Sequence, residues 1–305
     1  MKALSIALDW TPNTNHSGFF VAQQQGFYAE VGLQVDIVSP QMDNYSTTPA
    51  KKLELGQVDF ALCPFESVLS YRVKEAPFDA VAIATLFQED LSAIVTLSES
   101  GLERPKDLDG RSYASYKARY EDAIVAAMVK NDGGKGELKL EYRDKLGIWE
   151  TLLTKKADAT WVFMNWEGIQ AQNRGIALNA FLLSDFGIPY GYSPIIMAGK
   201  SAAAASTKEY RLFLEATRRG YLYAAEHPKE TVALLAPLCS EQDGDIDLMQ
   251  SQRYTAPFYG TSETWGLMEK ERVLLFLNWL AENGLEKHRF SFEEIVWDLL
   301  RDPTK

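Results

Sequence analysis

The sequence predicts an α/β fold of two lobes with parallel-rich sheets, and three observations carry the prediction. Short β-type runs alternate with helical stretches over the first two-thirds of the chain, the rhythm of parallel strands covered by helices. Beyond residue 205 the pattern becomes mostly helical. Aromatic and acidic residues recur in the loops that follow the strands, where open parallel sheets hold their ligands. The length of 305 residues fits about two domains.

The elements follow in order. Residues 3–8 form an apolar strand, then a polar turn over 9–15 leads to a helix over 17–30, capped by Ser17 and stopped at Gly32. Residues 33–38 alternate as a strand, 47–55 read as a helix ending at Gly56, and 58–62 are the next strand. A helix over 65–73 and a strand over 80–86 complete the first run. Strands at 93–97 and 111–114 open the second run. They precede a helix over 118–131 with Glu121 and Asp122 in its first turn and Asn131-Asp132-Gly133-Gly134 at its end. Strands at 138–142, 159–164 and 180–184, a helix near 147–155 and a last strand at 194–198 follow. In the helical remainder, 207–226 carries Tyr210, Phe213, Leu214, Ala216 and Tyr221 on one face. An apolar helix including 273–280 stops at Gly284, and Ser291-Phe292-Glu293-Glu294 is a capping box for the final helix. The strands at 93–97 and 194–198 mark the passages between lobes. Residues 1–92 with 195–305 are assigned to lobe 1 and residues 93–194 to lobe 2, with a ligand cleft between them.

Composition narrows the function classes. The chain is 46% hydrophobic and 24% charged, ordinary for a globular protein. Its 31 Lys and Arg against 42 Asp and Glu give a net charge of −11. That balance disfavours nucleic acid and anionic bilayers as partners, because both require clustered basic residues. No run approaches the roughly 18 apolar residues of a membrane span. Met1-Lys2 leads directly into the first strand, without a signal-peptide core or cleavage site. This reads as a cytoplasmic chain if Met1 is the native start, and as a periplasmic or cell-surface one if a leader was removed. Cys63 and Cys239 are too few for a disulfide scaffold or an all-cysteine zinc site. Two buried free thiols are the favoured reading, one long-range bridge the alternative.

Enzyme signatures are mostly absent. There is no G-x-S-x-G, P-loop or dinucleotide G-x-G-x-x-G, and Gly133-Gly134-Lys135-Gly136 has the wrong spacing. His16, His227 and His288 lack metal-ligand spacing. A nucleophilic pairing of Cys63 with His16 is the weakest reading considered. No catalytic residue, metal or cofactor is therefore assigned, and a monomer is expected. The strand-end loops supply the candidate ligand-binding residues: Trp10, Asn13 and His16; Phe65 and Glu66; Tyr116, Tyr120 and Glu121; Asn165, Trp166 and Glu167; Tyr190 and Tyr192. Aromatic faces hold a flat ring, while carboxylates and amides pair with its amino groups and ring nitrogens. Helices opening at Ser17 and Ala118 offer N–H groups to a carboxylate or phosphate. Each residue also has a structural reading. Trp10 serves equally as a core plug, His16 as a turn cap, the tyrosines as half-buried surface aromatics, and the glutamates as first-turn acids. Trp161 and Phe163 read as sheet core.

Several longer stretches carry a family resemblance. They are Leu8-Asp9-Trp10-Thr11-Pro12-Asn13-Thr14-Asn15-His16-Ser17-Gly18, Gly26-Phe27-Tyr28-Ala29-Glu30-Val31-Gly32-Leu33, Gly56-Gln57-Val58-Asp59-Phe60 and Arg104-Pro105-Lys106-Asp107-Leu108-Asp109-Gly110. With Asn131-Asp132-Gly133-Gly134, Lys156-Ala157-Asp158-Ala159 and Gly187-Ile188-Pro189, the chain resembles the NMT1/THI5-like proteins along its whole length. The resemblance implies a type II periplasmic-binding-protein fold with two crossing strands. It also implies a role as the solute-binding component of an ABC importer, with a permease as partner and a thiamine pyrimidine precursor such as formylaminopyrimidine as ligand. It places Trp10, Asn13, His16, Asn165 and Glu167 in the cleft, with Tyr192 as a stacking face. Ser193 departs from the acidic residue that this branch carries after its crossing tyrosine. The family's other activity, fungal pyrimidine-phosphate synthesis, needs a lysine where this chain has Cys63, a histidine where it has Ser67, and a cysteine-rich motif missing from 187–197. A cytoplasmic enzyme of thiamine pyrimidine synthesis is thus the disfavoured alternative. A ligand-sensing regulator is a third reading, without a signal of its own.

Overall fold

The computed structural model describes residues 1–142 and 148–301. Its strands form two five-stranded sheets. The first contains β1 (Lys2–Ala7), β2 (Leu33–Val38), β3 (Phe60–Cys63), β4 (Ala80–Thr85) and β10 (Ile195–Gly199), in the order β2-β1-β3-β10-β4. The second contains β5 (Ser92–Leu97), β6 (Ser112–Ser115), β7 (Lys139–Tyr142), β8 (Ala159–Phe163) and β9 (Leu178–Phe181), in the order β7-β6-β8-β5-β9. Each sheet is parallel except for one strand, β10 in the first and β5 in the second. Those two are the strands by which the chain enters the sheet after crossing between lobes. The passages are tied to each other and to the sheets: the Leu86 N–H donates to the Pro194 carbonyl at 3.1 Å, and the Met164 N–H to the Leu91 carbonyl at 2.8 Å.

Local chemistry explains the registers. Asp59, just before β3, accepts both the Ser5 N–H (2.8 Å) and the Ser5 hydroxyl (3.0 Å) of β1. Asp158, just before β8, accepts the same two groups of Ser112 on β6, at 2.9 and 2.7 Å. The central strands are buried throughout: every residue of β4, β5 and β10 is buried, as expected for strands covered on both faces.

The helices are α1 (Ser17–Gln24), α2 (Phe27–Glu30), α3 (Pro49–Glu54), α4 (Glu66–Val73), α5 (Glu121–Asn131), α6 (Ile148–Leu153), α7 (Ile169–Asn173), α8 (Lys200–Ala205), α9 (Thr207–Glu226), α10 (Pro228–Leu235), α11 (Leu248–Thr255), α12 (Lys270–Glu282) and α13 (Phe292–Ile295). The α9 face predicted from its spacing buries Tyr210, Phe213, Leu214, Ala216 and Tyr221. Phe213 stacks on Phe60 of β3 at 4.2 Å between ring centroids. At the crossing of α9 with α1, Gly220 lies so close that a Cβ there would meet the Gly18 carbonyl at 2.0 Å.

The structure corrects several expected boundaries. The helix over 17–30 is two helices, α1 and α2, parted at Gly26, whose φ of 75° an L side chain disfavours. The helix expected from 118 starts at Glu121, because the preceding turn closes on the Glu121 side chain. The strand expected over 180–184 is Leu178–Phe181, and the last helix is a single turn. Residue 147, where a helix was expected to begin, lies outside the described residues. Cys63 and Cys239 are both free, so the long-range bridge is not formed, and Cys239 is half-buried instead of buried. Among the described residues no helix is long and apolar enough to cross a membrane.

Candidate functional site

The loop after β1 is held by its own polar side chains. The Asn13 Oδ1 accepts the Asn15 N–H at 2.8 Å, and its Nδ2 donates to the Thr11 carbonyl at 3.1 Å. The Asn13 N–H donates to His16 Nδ1 at 3.2 Å, which leaves Nε2 as the protonated nitrogen of a neutral ring. Nε2 lies 2.8 Å from Asp9 Oδ1. With both ring nitrogens engaged, the fully buried His16 has none to offer Cys63. Burial also pushes the Cys63 thiol well above its usual range, and the charges of Asp9 and Glu66 add to the shift, which makes it a poor nucleophile. Trp10 is half-buried, with its ring 5.9 Å from that of Tyr45.

Glu66 begins α4, after β3. It is buried, and the Tyr190 hydroxyl donates to its Oε1 at 3.0 Å. Burial raises its pKa to about 7, helped by the negative charges of Asp90 and Glu121. Phe65 is buried beside it, its N–H donating to the Tyr192 carbonyl. Tyr190 meets the ring of Trp161 edge-on at 5.3 Å. Tyr192 is covered: its hydroxyl accepts the Glu269 N–H at 3.0 Å, and the Arg272 guanidinium lies 4.2 Å from its ring centre.

On the second lobe, the Glu121 carboxylate accepts the Tyr113 hydroxyl at 2.8 Å and the N–H groups of Tyr116 (3.0 Å) and Ala118 (3.1 Å). The anion site expected at Ala118 is therefore filled by the protein's own carboxylate. At the other expected anion site, the Ser17 N–H donates to the Thr14 carbonyl. Burial raises the Glu121 pKa. Tyr116 is 41% exposed over its surface, with Glu167 and Glu121 as its charged neighbours. Desolvation first, then those charges, push its pKa well above the phenol range. Tyr120 is buried and donates to Glu286 Oε2 at 2.6 Å.

A π-helical turn over Met164–Gly168 follows β8. Glu167 accepts the Phe163 N–H at 2.9 Å, and burial raises its pKa to about 7, with Asp243 and Asp9 adding to the effect. The fully buried Asn165 donates from Nδ2 to Asn15 Oδ1 (2.6 Å) and Thr255 Oγ1 (2.9 Å), while its Oδ1 has no partner. Trp166 is buried against Ile169 and Ile246, its Nε1 likewise without a partner.

The structure thus brings Glu66, Tyr116, Glu121, Glu167 and Tyr190 into one electrostatic environment. Through Asp9 the mutual influences close into a ring: Asp9 acts on Glu167, Glu167 on Tyr116, Glu121 on Tyr116 and on Glu66, and Asp9 with Glu66 on Cys63. Asn13, Tyr120, Trp166 and Tyr192 instead have their polar or aromatic groups engaged within the protein or covered by it. Sequence reasoning did not single out Asp9 as a site residue and missed Asp90 and Asp243. Asp9 and Asp90 follow strands β1 and β4, so the same positional signal reaches them, whereas Asp243 lies in the helical region and carries none. A cavity of about 370 Å³ is lined by Asp90, Ser92, Tyr190 and Arg272 among others. No three His, Cys, Asp or Glu among the described residues are grouped to hold a metal ion.

Comparison with known proteins agrees with this architecture. The formylaminopyrimidine-binding protein of Halalkalibacterium halodurans is 25% identical over 307 aligned positions, covering 95% of this chain and 90% of that protein. The 4-amino-5-hydroxymethyl-2-methylpyrimidine phosphate synthase of Legionella pneumophila is 23% identical, over 76% of this chain and 72% of that one. Among solved structures, the alkanesulfonate-binding protein SsuA from Xanthomonas axonopodis pv. citri superposes with a TM-score of 0.73 over 98% of this chain and 99% of that one, at 13% identity. This likeness establishes the periplasmic-binding-protein fold. The family profile described as NMT1/THI5 like matches residues 13–231, and the chain belongs to that family.

Proposed function

We propose that the protein is a non-enzymatic solute-binding protein that closes its lobes on an aminopyrimidine-type ligand, a thiamine pyrimidine precursor or a close analogue. The observation that carries this reading is the pair Glu66 and Glu167, one from each lobe, both with pKa values of about 7. Near neutrality such a carboxyl donates or accepts a hydrogen bond as required. The ring nitrogen and adjacent amino group of an aminopyrimidine present one acceptor and one donor to match. Trp10, Tyr116 and Tyr190 supply aromatic surface for the ring, and closure removes it from water. The relative named for formylaminopyrimidine binding supports the ligand class. An ABC permease is the partner this role requires, with the protein as a monomer. Residues 1–92 with 195–305 and residues 93–194 are the two bodies that move.

Isothermal titration with formylaminopyrimidine tests the assignment. Trp10→Ala and Glu167→Gln are each expected to weaken binding tenfold or more, about 1.4 kcal/mol. Unchanged affinity in both variants removes these residues from the site. The synthase activity named for the Legionella relative is the competing reading; a bound pyrimidine recovered unaltered after prolonged incubation counts against it. Cys63 and Ser67 give the cleft neither a lysine amine nor an imidazole at the positions where the family resemblance puts those groups.

A further inference from the structure

We infer that the C-terminal helical region, residues 239–290, is a clasp that holds the second lobe from both flanks, so that its release limits ligand exchange. The inference rests on the cleft between the lobes being the ligand site. On one flank, the π-turn and α7 of the second lobe lie against residues 239–255. Ile246 packs on Trp166 and Ile169, and Gln170 Nε2 donates to Asp245 Oδ1 at 2.8 Å. Arg174 pairs with the same Asp245, and the Asp247 N–H donates to Asn173 Oδ1 at 2.8 Å. On the other flank, beyond α12, Glu286 Oε2 accepts the Tyr120 hydroxyl at 2.6 Å and Arg119 at 2.8 Å. Both groups of contacts join residues that follow the second crossing to residues that precede it. The crossing segments are therefore not the sole connection between the lobes.

The clasp is built to open. Its ties include partly exposed ion pairs, Arg174 with Asp245 and Arg119 with Glu286, which water replaces at modest cost, beside apolar contact at Trp166 on one flank and between Phe276 and Tyr190 on the other. Two buried groups at its centre, Asn165 Oδ1 and Trp166 Nε1, have no partner when it is shut. An unmade buried hydrogen bond penalises the shut state, which keeps the two states close in free energy. Asn165 is a positioning residue in this scheme: it links the π-turn to Asn15, next to the loop that carries Trp10, and to Thr255 of α11.

The test combines Gln170→Ala, Arg174→Ala and Glu286→Gln in one chain, with Asp245→Asn as a milder single change. Small-angle scattering of the ligand-free proteins measures opening without reference to any ligand. The triple variant is expected to have a larger radius of gyration than the parent, at unchanged helix content by circular dichroism. Stopped-flow release of formylaminopyrimidine is expected to accelerate about fivefold or more in the triple variant, the effect of losing one or two net hydrogen bonds, and less in Asp245→Asn. Equal radii of gyration, together with unchanged release rates, overturn the clasp while leaving the binding function intact. Failure of formylaminopyrimidine to bind the parent overturns that ligand, and the scattering result then decides the clasp alone. If the triple variant loses helix content, Asp245→Asn carries both measurements.

Discussion

Glu66 and Glu167 show what burial does to a carboxyl group. Their pKa values of about 7 lie above those of an unfolded chain, near 4.5, so the folded state holds more protons between those limits. Stability must therefore fall as pH rises from about 4.5 to 7 and level off above, with each group contributing up to about 1.4 kcal/mol per pH unit inside that window. Asp90, raised to about 6 by burial, acts in the same direction. Urea unfolding at pH 5 and pH 7.5 should find the protein more stable at pH 5, with the difference smaller in Glu66→Gln with Glu167→Gln. An identical pH difference in that double variant would rule out the two glutamates as its source. The acids themselves were legible in the sequence because they follow strands. Their protonation was not, since it depends first on burial by the folded chain and then on Asp9, Asp90, Glu121 and Asp243 converging from distant segments. Tyr192 shows the opposite limit: its place in a crossing loop was legible, but not the Arg272 and Glu269 of α12 and its N-cap that cover it.

At the scale of elements, periodicity located the strands of both sheets to within a few residues, because their apolar runs are bounded by polar turns. It failed where one residue overrides a pattern, as Gly26 does in parting α1 from α2, or where a side chain caps its own helix, as Glu121 does at α5. The role of α11 was invisible, because two of its buried polar side chains pair with residues far away in sequence. The Ser251 hydroxyl lies 2.7 Å from that of Thr14, and Gln252 Oε1 accepts the Ser17 hydroxyl at 2.7 Å. The contact between α1 and α9 offers a direct check. Gly220→Ala places a methyl group 2.0 Å from the Gly18 carbonyl, which forces the helices apart. A loss of about 1–3 kcal/mol is expected, read as a lower urea midpoint. An unchanged midpoint would show that the contact yields without cost.

For the whole molecule, binding to the folded state links ligand affinity to stability. Free ligand at about 100 times its Kd should stabilise the protein by about 2.7 kcal/mol, seen as a rise in melting temperature with formylaminopyrimidine. No rise at saturating ligand would argue against binding to the folded state. The paired aspartate–serine contacts, Asp59 with Ser5 and Asp158 with Ser112, have a consequence at this scale. They fall at matching places in two sheets of matching strand order, so the two halves repeat one plan. Glu66 and Glu167 each follow the third strand of that shared plan, and in the proposed site a planar guest between them would meet like groups on both sides. Such a repeated frame cannot by itself tell one edge of the guest from the other. The choice of orientation falls to groups that the two halves do not share, such as Asp243 from the helices appended to the first lobe.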